Sequence, residues 1–179
     1  MNNELEIKKE DSQILSLAAK KELCRQLEKF NDCLSKAPLK SELKTKMNAE
    51  YLPISFVETT LDEVFFGLWE ISDFKYQCVA NELIGSLQLR VFHPTAQTWI
   101  TRTGCASSQI RMAQGSEITD ISKKIKNGLE MDMPRLKTAC IKNAAKSLGK
   151  TFGRDLNRKS IDEPKRFFHK PASKLDQGV

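Results

Sequence analysis

Four basic residues, Lys142, Lys146, Lys150 and Arg154, stand four apart in the stretch Asp132–Arg158. A four-residue step keeps side chains on one ridge of an α-helix. Like charges at that spacing repel, and each pair costs a helix about 0.2–0.5 kcal/mol. A repulsion repeated along the ridge points to an anionic partner lying there. The chemistry open to such a ridge is phosphate binding that ignores base identity, with an affinity that falls as salt rises because bound counterions are released. Lys137 belongs to the same predicted helix and is counted with the ridge.

The helix must also be held in place. Ile141, Ala145, Leu148, Phe152 and Leu156 recur at the spacing of a core-facing stripe, so one long amphipathic helix is expected from Asp132 to Arg158. Asp132 is a good N-cap, and Pro134 fits a first turn, where a missing N–H does no harm. Gly149 and Gly153 interrupt the pattern, each weakening a helix by about 0.8–1.0 kcal/mol relative to Ala. Either they end the helix near residues 147–150, or they let another backbone, protein or nucleic acid, come close.

Upstream, residues 1–12 are polar and expected to fray. Ile14, Leu15, Leu17, Ala18, Leu23, Leu27 and Phe30 predict a helix to about Asn31, covering the core or a neighbouring subunit. Residues 35–48 are charged and weakly patterned, a linker with a short helix. Phe56, Leu61, Val64, Phe65 and Phe66 predict a helix that ends before Gly67. At Trp69 the period changes to two. Strands are expected over residues 69–79, 82–93 and 98–105, with Leu83, Leu87, Leu89 and Val91 on one face of the second and Ser86, Gln88 and Arg90 on the other. Short connections make them an antiparallel meander. Residues 106–119 read as a loop, and 118–129 as a short basic helix carrying Lys123, Lys124 and Lys126, ended by Gly128. The expected fold is therefore α+β: a three-stranded antiparallel β-meander packed against a long C-terminal helix, a β-β-β-α core with N-terminal helices. Its expected divisions are an N-terminal helical region (1–50), the core (51–158) and a basic tail (159–179), expected to be flexible without a partner. In that tail, Phe167-Phe168 among Lys165, Arg166 and Lys170 either docks on protein, the stronger reading, or stacks on bases.

At 179 residues one compact domain with tails is the default. The net charge is +6, yet residues 135–170 alone hold 11 Lys or Arg against Asp155, Asp162 and Glu163, a net of +8, so residues 1–134 are net negative. A basic region on a faintly acidic body fits contact with a polyanion. Cys24, Cys33, Cys78, Cys105 and Cys140 are odd in number and widely spaced, and predict a reducing compartment rather than a disulfide framework. His93 and His169 lack ligand-spaced partners, so no zinc site is expected. No apolar run approaches about 18 residues, which predicts a soluble, cytoplasmic protein with no membrane contact. No phosphate-cradling GxxxxGKS/T loop, GxSxG elbow or kinase signature occurs. Glu117, Asp120, Glu130 and Asp132 could be imagined as metal ligands, but two of them are more simply helix N-terminal residues. No catalytic residue, metal or cofactor is expected.

The β-β-β-α order resembles the Rad-fifty-two superfamily of single-strand annealing proteins, especially its short phage and prophage members. The closest likeness is Ile141-Lys142-Asn143-Ala144-Ala145-Lys146-Ser147-Leu148-Gly149 followed by Phe152-Gly153: a hydrophobic-Lys pair, a second basic residue four on, then Ser, an apolar residue and Gly. Leu61-Asp62-Glu63-Val64-Phe65-Phe66-Gly67-Leu68-Trp69 looks more loosely like the family's element before its first strand. The likeness spans about residues 54–157.

The resemblance implies that Lys142 and Lys146 lie in a groove gripping single-stranded DNA. The chain departs from the eukaryotic pattern at Asn143, for which Lys150 and Arg154 would compensate, and at Phe56-Val57-Glu58, near which that pattern has a DNA-touching basic residue. By distance along the chain the family's outer DNA site falls on Lys123 or Lys124. Arg90 and Arg102, on neighbouring predicted strands, either extend the groove or are plain exposed arginines. The implied activity is ATP-independent annealing of single strands in homologous recombination or repair, by a ring or helical filament of identical subunits. The implied setting is a phage-infected bacterial cytoplasm, with a host single-strand-binding protein or a phage exonuclease as further partners. Two rivals stay open. A double-stranded RNA-binding module also runs α-β-β-β-α, but clusters its lysines at the last helix's start. A metal-dependent nuclease would need carboxylates better arranged than these.

Overall fold

The computed structural model describes residues 17–158 other than 116, 118 and 119. The expectations for residues 1–12, for Ile14 and Leu15, and for the tail with Phe167-Phe168 lie outside the described residues. The order is α1 (Leu17–Ser35), β1 (Lys44–Lys46), β2 (Ala49–Tyr51), α2 (Ile54–Phe65), β3 (Trp69–Val79), β4 (Glu82–His93), β5 (Thr98–Gln109) and α3 (Gly128–Lys146), with short 3-10 turns at Lys40–Glu42, Ile121–Lys123 and Lys150–Phe152. The protein is α+β: the antiparallel sheet β3-β4-β5 packs one face against α3, with α1 and α2 beside it.

The centre of the sheet follows from strict alternation. Leu83, Gly85, Leu87, Leu89 and Val91 of β4 are buried, while Ile84, Ser86, Gln88 and Arg90 between them are half-buried or exposed on the open face. α2 adds Val57, Leu61 and Phe65, and ends as expected, with Phe66 in the left-handed conformation and the Gly67 N–H donating to the Asp62 carbonyl at 2.9 Å. α3 closes the layer with Leu136, Cys140, Ile141, Ala144 and Ala145. It approaches the sheet so closely that a Cβ at Gly104 of β5 would lie 2.0 Å from the Cys140 carbonyl oxygen, so only glycine fits there. Phe152 completes the core, its ring stacked 6.5 Å from that of Phe65.

Several expectations need correction. The long helix is not continuous to Arg158: α3 stops at Lys146, followed by a turn at Ser147–Leu148 and a 3-10 turn. Both readings of Gly149 hold at once. The helix ends just before it, and its missing side chain admits a backbone, for a Cβ there would sit 2.2 Å from the Leu34 carbonyl oxygen of α1. At the other end α3 begins at Gly128, after Asn127 in the left-handed conformation, so Gly128 starts a helix rather than ending one. The basic helix expected at 118–129 reduces to the turn Ile121–Lys123. Asp132 is therefore no N-cap. It is fully buried, accepting the Arg111 backbone N–H at 3.0 Å, with the Arg111 Nε 3.2 Å from its other oxygen. Pro134 lies inside the helix, where it deprives the Glu130 carbonyl of its usual donor. β5 runs four residues beyond Cys105, to Gln109, because Ala106–Gln109 pair with Glu82–Gly85. In place of a helix in the 35–48 linker there is a 3-10 turn and the β1-β2 hairpin, turned through Met47 and Asn48, both at positive φ.

The N-terminal region is part of the same body. Phe30 packs edge-on against Phe65 at 5.9 Å and lies 4.4 Å from His93, and the Thr151 hydroxyl donates toward the Cys33 and Lys36 carbonyls at 2.6 and 3.0 Å.

Candidate nucleic-acid interface

The last two turns of α3 position the lysines. Ile141, Ala144 and Ala145 bury one side of this segment, which leaves Lys142 half-buried at its flank and Lys146 exposed. The Lys142 ammonium sits 5.2 Å from the centre of the Tyr51 ring, a cation-π contact. Tyr51 comes from the hairpin, where Lys44 faces Tyr51 and Lys46 faces Ala49. Strand alternation puts Lys44, Lys46, Ala49 and Tyr51 on the hairpin face that meets α3. Burial, and after it the charges of Lys146 and Lys46, pull the Lys142 ammonium below its ordinary 10.5. Lys46, Lys142 and Lys146 thus form a cluster from two elements, and among the described residues no carboxylate pairs with any of them. Ammonium groups whose charges act on one another in this way repel, and an anion between them would remove that cost.

Lys150 and Arg154 do not extend the row. Lys150 is paired with Asp155 at 2.9 Å, and Arg158 meets the same carboxylate at 3.2 Å. The hydrogen bond from Lys150 leads the interactions that hold the Asp155 carboxyl below the usual carboxylate range. Arg154 turns back onto α3, donating to the Lys146 carbonyl at 3.1 Å and to the Ser147 carbonyl. It thereby satisfies carbonyls that a helix end leaves without partners. Asn143 accepts the Cys105 backbone N–H at 3.1 Å and so ties α3 to the outer edge of β5.

The remaining candidates lie apart from the cluster. Lys137 precedes Lys142 by five residues, about 140° round the helix. Lys123 is paired with Asp120 at 3.0 Å, and Lys124 bridges to Met112 through its backbone, both in the loop before α3. Asp120 is held low first by Ser122 and then by Lys123. Arg90 and Arg102 face opposite sides of the sheet. Arg102 stands opposite Leu89, on the helix-facing side. Arg90 is on the open face, ion-paired with Glu70 and 5.1 Å from the Trp99 ring centre. They do not form one surface.

Lys44, Lys46 and Tyr51 are the residues that the sequence reading missed. The available signal was two lysines two apart, followed by a turn and an aromatic. Among the described residues no three His, Cys, Asp or Glu side chains gather as metal ligands would, and no helix is long and apolar enough to cross a membrane. The chain matches no protein-family model and no curated protein.

Proposed function

We propose that the protein binds single-stranded DNA without sequence preference and anneals complementary strands without ATP, in homologous recombination or repair, as a homo-oligomer. The observation that carries this reading is the convergence of Lys46, Lys142 and Lys146 beside Tyr51. Three ammonium groups bind phosphates as point charges and read no base edge. A single aromatic at the margin can stack on a base of any kind. Bases left outward stay free to meet a second strand. The motif at residues 141–153 and the β-β-β-α order support the same reading by resemblance. No catalytic step is part of it. The open edge of β3 is the natural place for a second subunit, since exposed strand edges tend to be paired or covered.

The deciding experiment mixes two labelled complementary oligonucleotides with saturating protein and no nucleotide. Pairing faster than the protein-free control is expected, with the gain lost in the Lys142→Ala/Lys146→Ala chain. Confirmed binding with no acceleration would leave a passive single-strand binder. Light scattering at micromolar protein is expected to give a mass of several 20.3 kDa subunits. A monomer both with and without DNA would remove the assembly.

A further inference from the structure

Near the first half of α3 lies a polar feature that the basic cluster does not use. A cleft of about 590 Å³ opens where β5 leaves the sheet, lined by Ser107, Arg111 and Met112 on one side, by Arg135 and Ala139 of α3 on the other, and by Asn81 of the β3-β4 turn. That is within the usual size of small-molecule clefts, roughly 300–1,000 Å³. Asn81 is only 4% exposed, and its side-chain oxygen has no hydrogen-bond partner. Its backbone is fixed, the Asn81 carbonyl accepting the Ile110 N–H at 2.9 Å. A buried acceptor left unmet is costly, and because Asn81 lines the cleft a turn of its amide toward the opening would let a ligand meet it. Charge gives the second half of the site. Arg111 is already oriented by the buried Asp132, and Arg135 has no acidic partner among the described residues, so its guanidinium charge is uncompensated. Guanidinium forks suit phosphate oxygens.

We propose that this cleft binds a nucleotide, with its phosphate on Arg135 and Arg111 and a base amino or ring N–H group donating to Asn81. Inorganic phosphate would serve the arginines but carries no base to lie against Met112 and Ala139 while reaching Asn81. Met112 and Ala139 supply the apolar contact a base needs. Arg135 and Lys146 are eleven residues apart on one helix, about 16 Å along its axis, so the cleft is distinct from the lysine cluster and does not depend on its function. The nucleotide is either free or the 5′-phosphorylated end of a strand.

The test is calorimetric titration of the full chain with deoxynucleoside monophosphates and with inorganic phosphate, alongside amide chemical-shift mapping. Nucleotide binding should shift the Asn81 side-chain amide, exceed phosphate binding, and weaken at least about tenfold in Arg135→Gln, with circular dichroism unchanged. It should survive in Lys142→Ala/Lys146→Ala. Competition by a 5′-phosphorylated but not a 5′-hydroxyl oligonucleotide assigns the strand end; competition by neither assigns the free nucleotide. The proposal is overturned by no nucleotide binding up to about 5 mM, by phosphate binding as tightly as nucleotide, or by shifts centred on Lys142 and Lys146 instead. The shift map on the unaltered chain keeps the test decisive even if Arg135→Gln fails to fold.

Discussion

Lys142 and Lys146 belong to the same four-residue repeat as Lys150 and Arg154, yet the two halves are used in different ways. The first pair stands on a helix beside a hairpin lysine and a tyrosine, without carboxylates. The second pair stands past the helix end, one residue neutralised by Asp155 and the other spent on main-chain carbonyls. Equal spacing in sequence becomes equal geometry only while the helix lasts. What distinguishes a binding charge from a structural one is its partner, and no periodicity reports that.

The strongest way to break this contrast is to remove the first pair. Lys142→Ala/Lys146→Ala should weaken single-stranded DNA binding by more than about tenfold and flatten the salt slope by about 1.4, at 0.7 per phosphate contact. Fluorescence anisotropy over a salt series measures both. Lys46→Ala comes next: a few-fold loss of affinity and about 0.7 of slope place the hairpin in the interface, and an unchanged slope would remove it. Arg154→Ala should act on the fold instead, costing about 1 kcal/mol in chemical denaturation while DNA affinity stays within about threefold. A DNA defect as large as that of the double variant would erase the distinction between the halves. Lys150→Ala should change DNA affinity least, since its ammonium is already paired with Asp155 in a half-buried ion pair.

Proton linkage sharpens the same comparison. At neutral pH Lys142 is charged in the folded and unfolded chains alike, so the cost of holding it near Lys146 and Lys46 is fully present. As pH rises from its lowered value toward 10.5, the folded chain releases the proton first, and stability gains from this group. DNA binding runs the other way, because phosphates favour the charged ammonium. Affinity for an oligo(dA) strand should fall over that window, and Lys142→Arg should remove that part of the fall.

The sheet was legible because burial on one face enforces alternation: Leu83, Leu87, Leu89 and Val91 gave the register of β4 at sight. α2 was legible for the same reason at helical spacing. The β1-β2 hairpin was not, because its strands have three residues each, no apolar alternation, and a Met-Asn turn in place of the usual glycine. The start of α3 was misread because Asp132 has the residue type of a cap but is claimed by Arg111, distant in sequence. The candidate site was half legible. Lys142 and Lys146 stood out by spacing, whereas Lys46 reaches them only through the packing of Tyr51 on α3.

The seat of α1 on the end of the fold has a consequence for biosynthesis. The Cys33 carbonyl is held by the hydroxyl of Thr151, 118 residues later, and the Leu34 carbonyl lies against Gly149. At about 5–20 residues per second, α1 leaves the ribosome roughly 6–24 s before the segment that holds it has been made. During that interval only the Phe65 and His93 part of its native seat exists, and a chain interrupted before residue 149 would carry an incompletely docked α1. Full seating of the first helix on the last turns, a contact of long sequence separation, therefore waits until translation has passed residue 151.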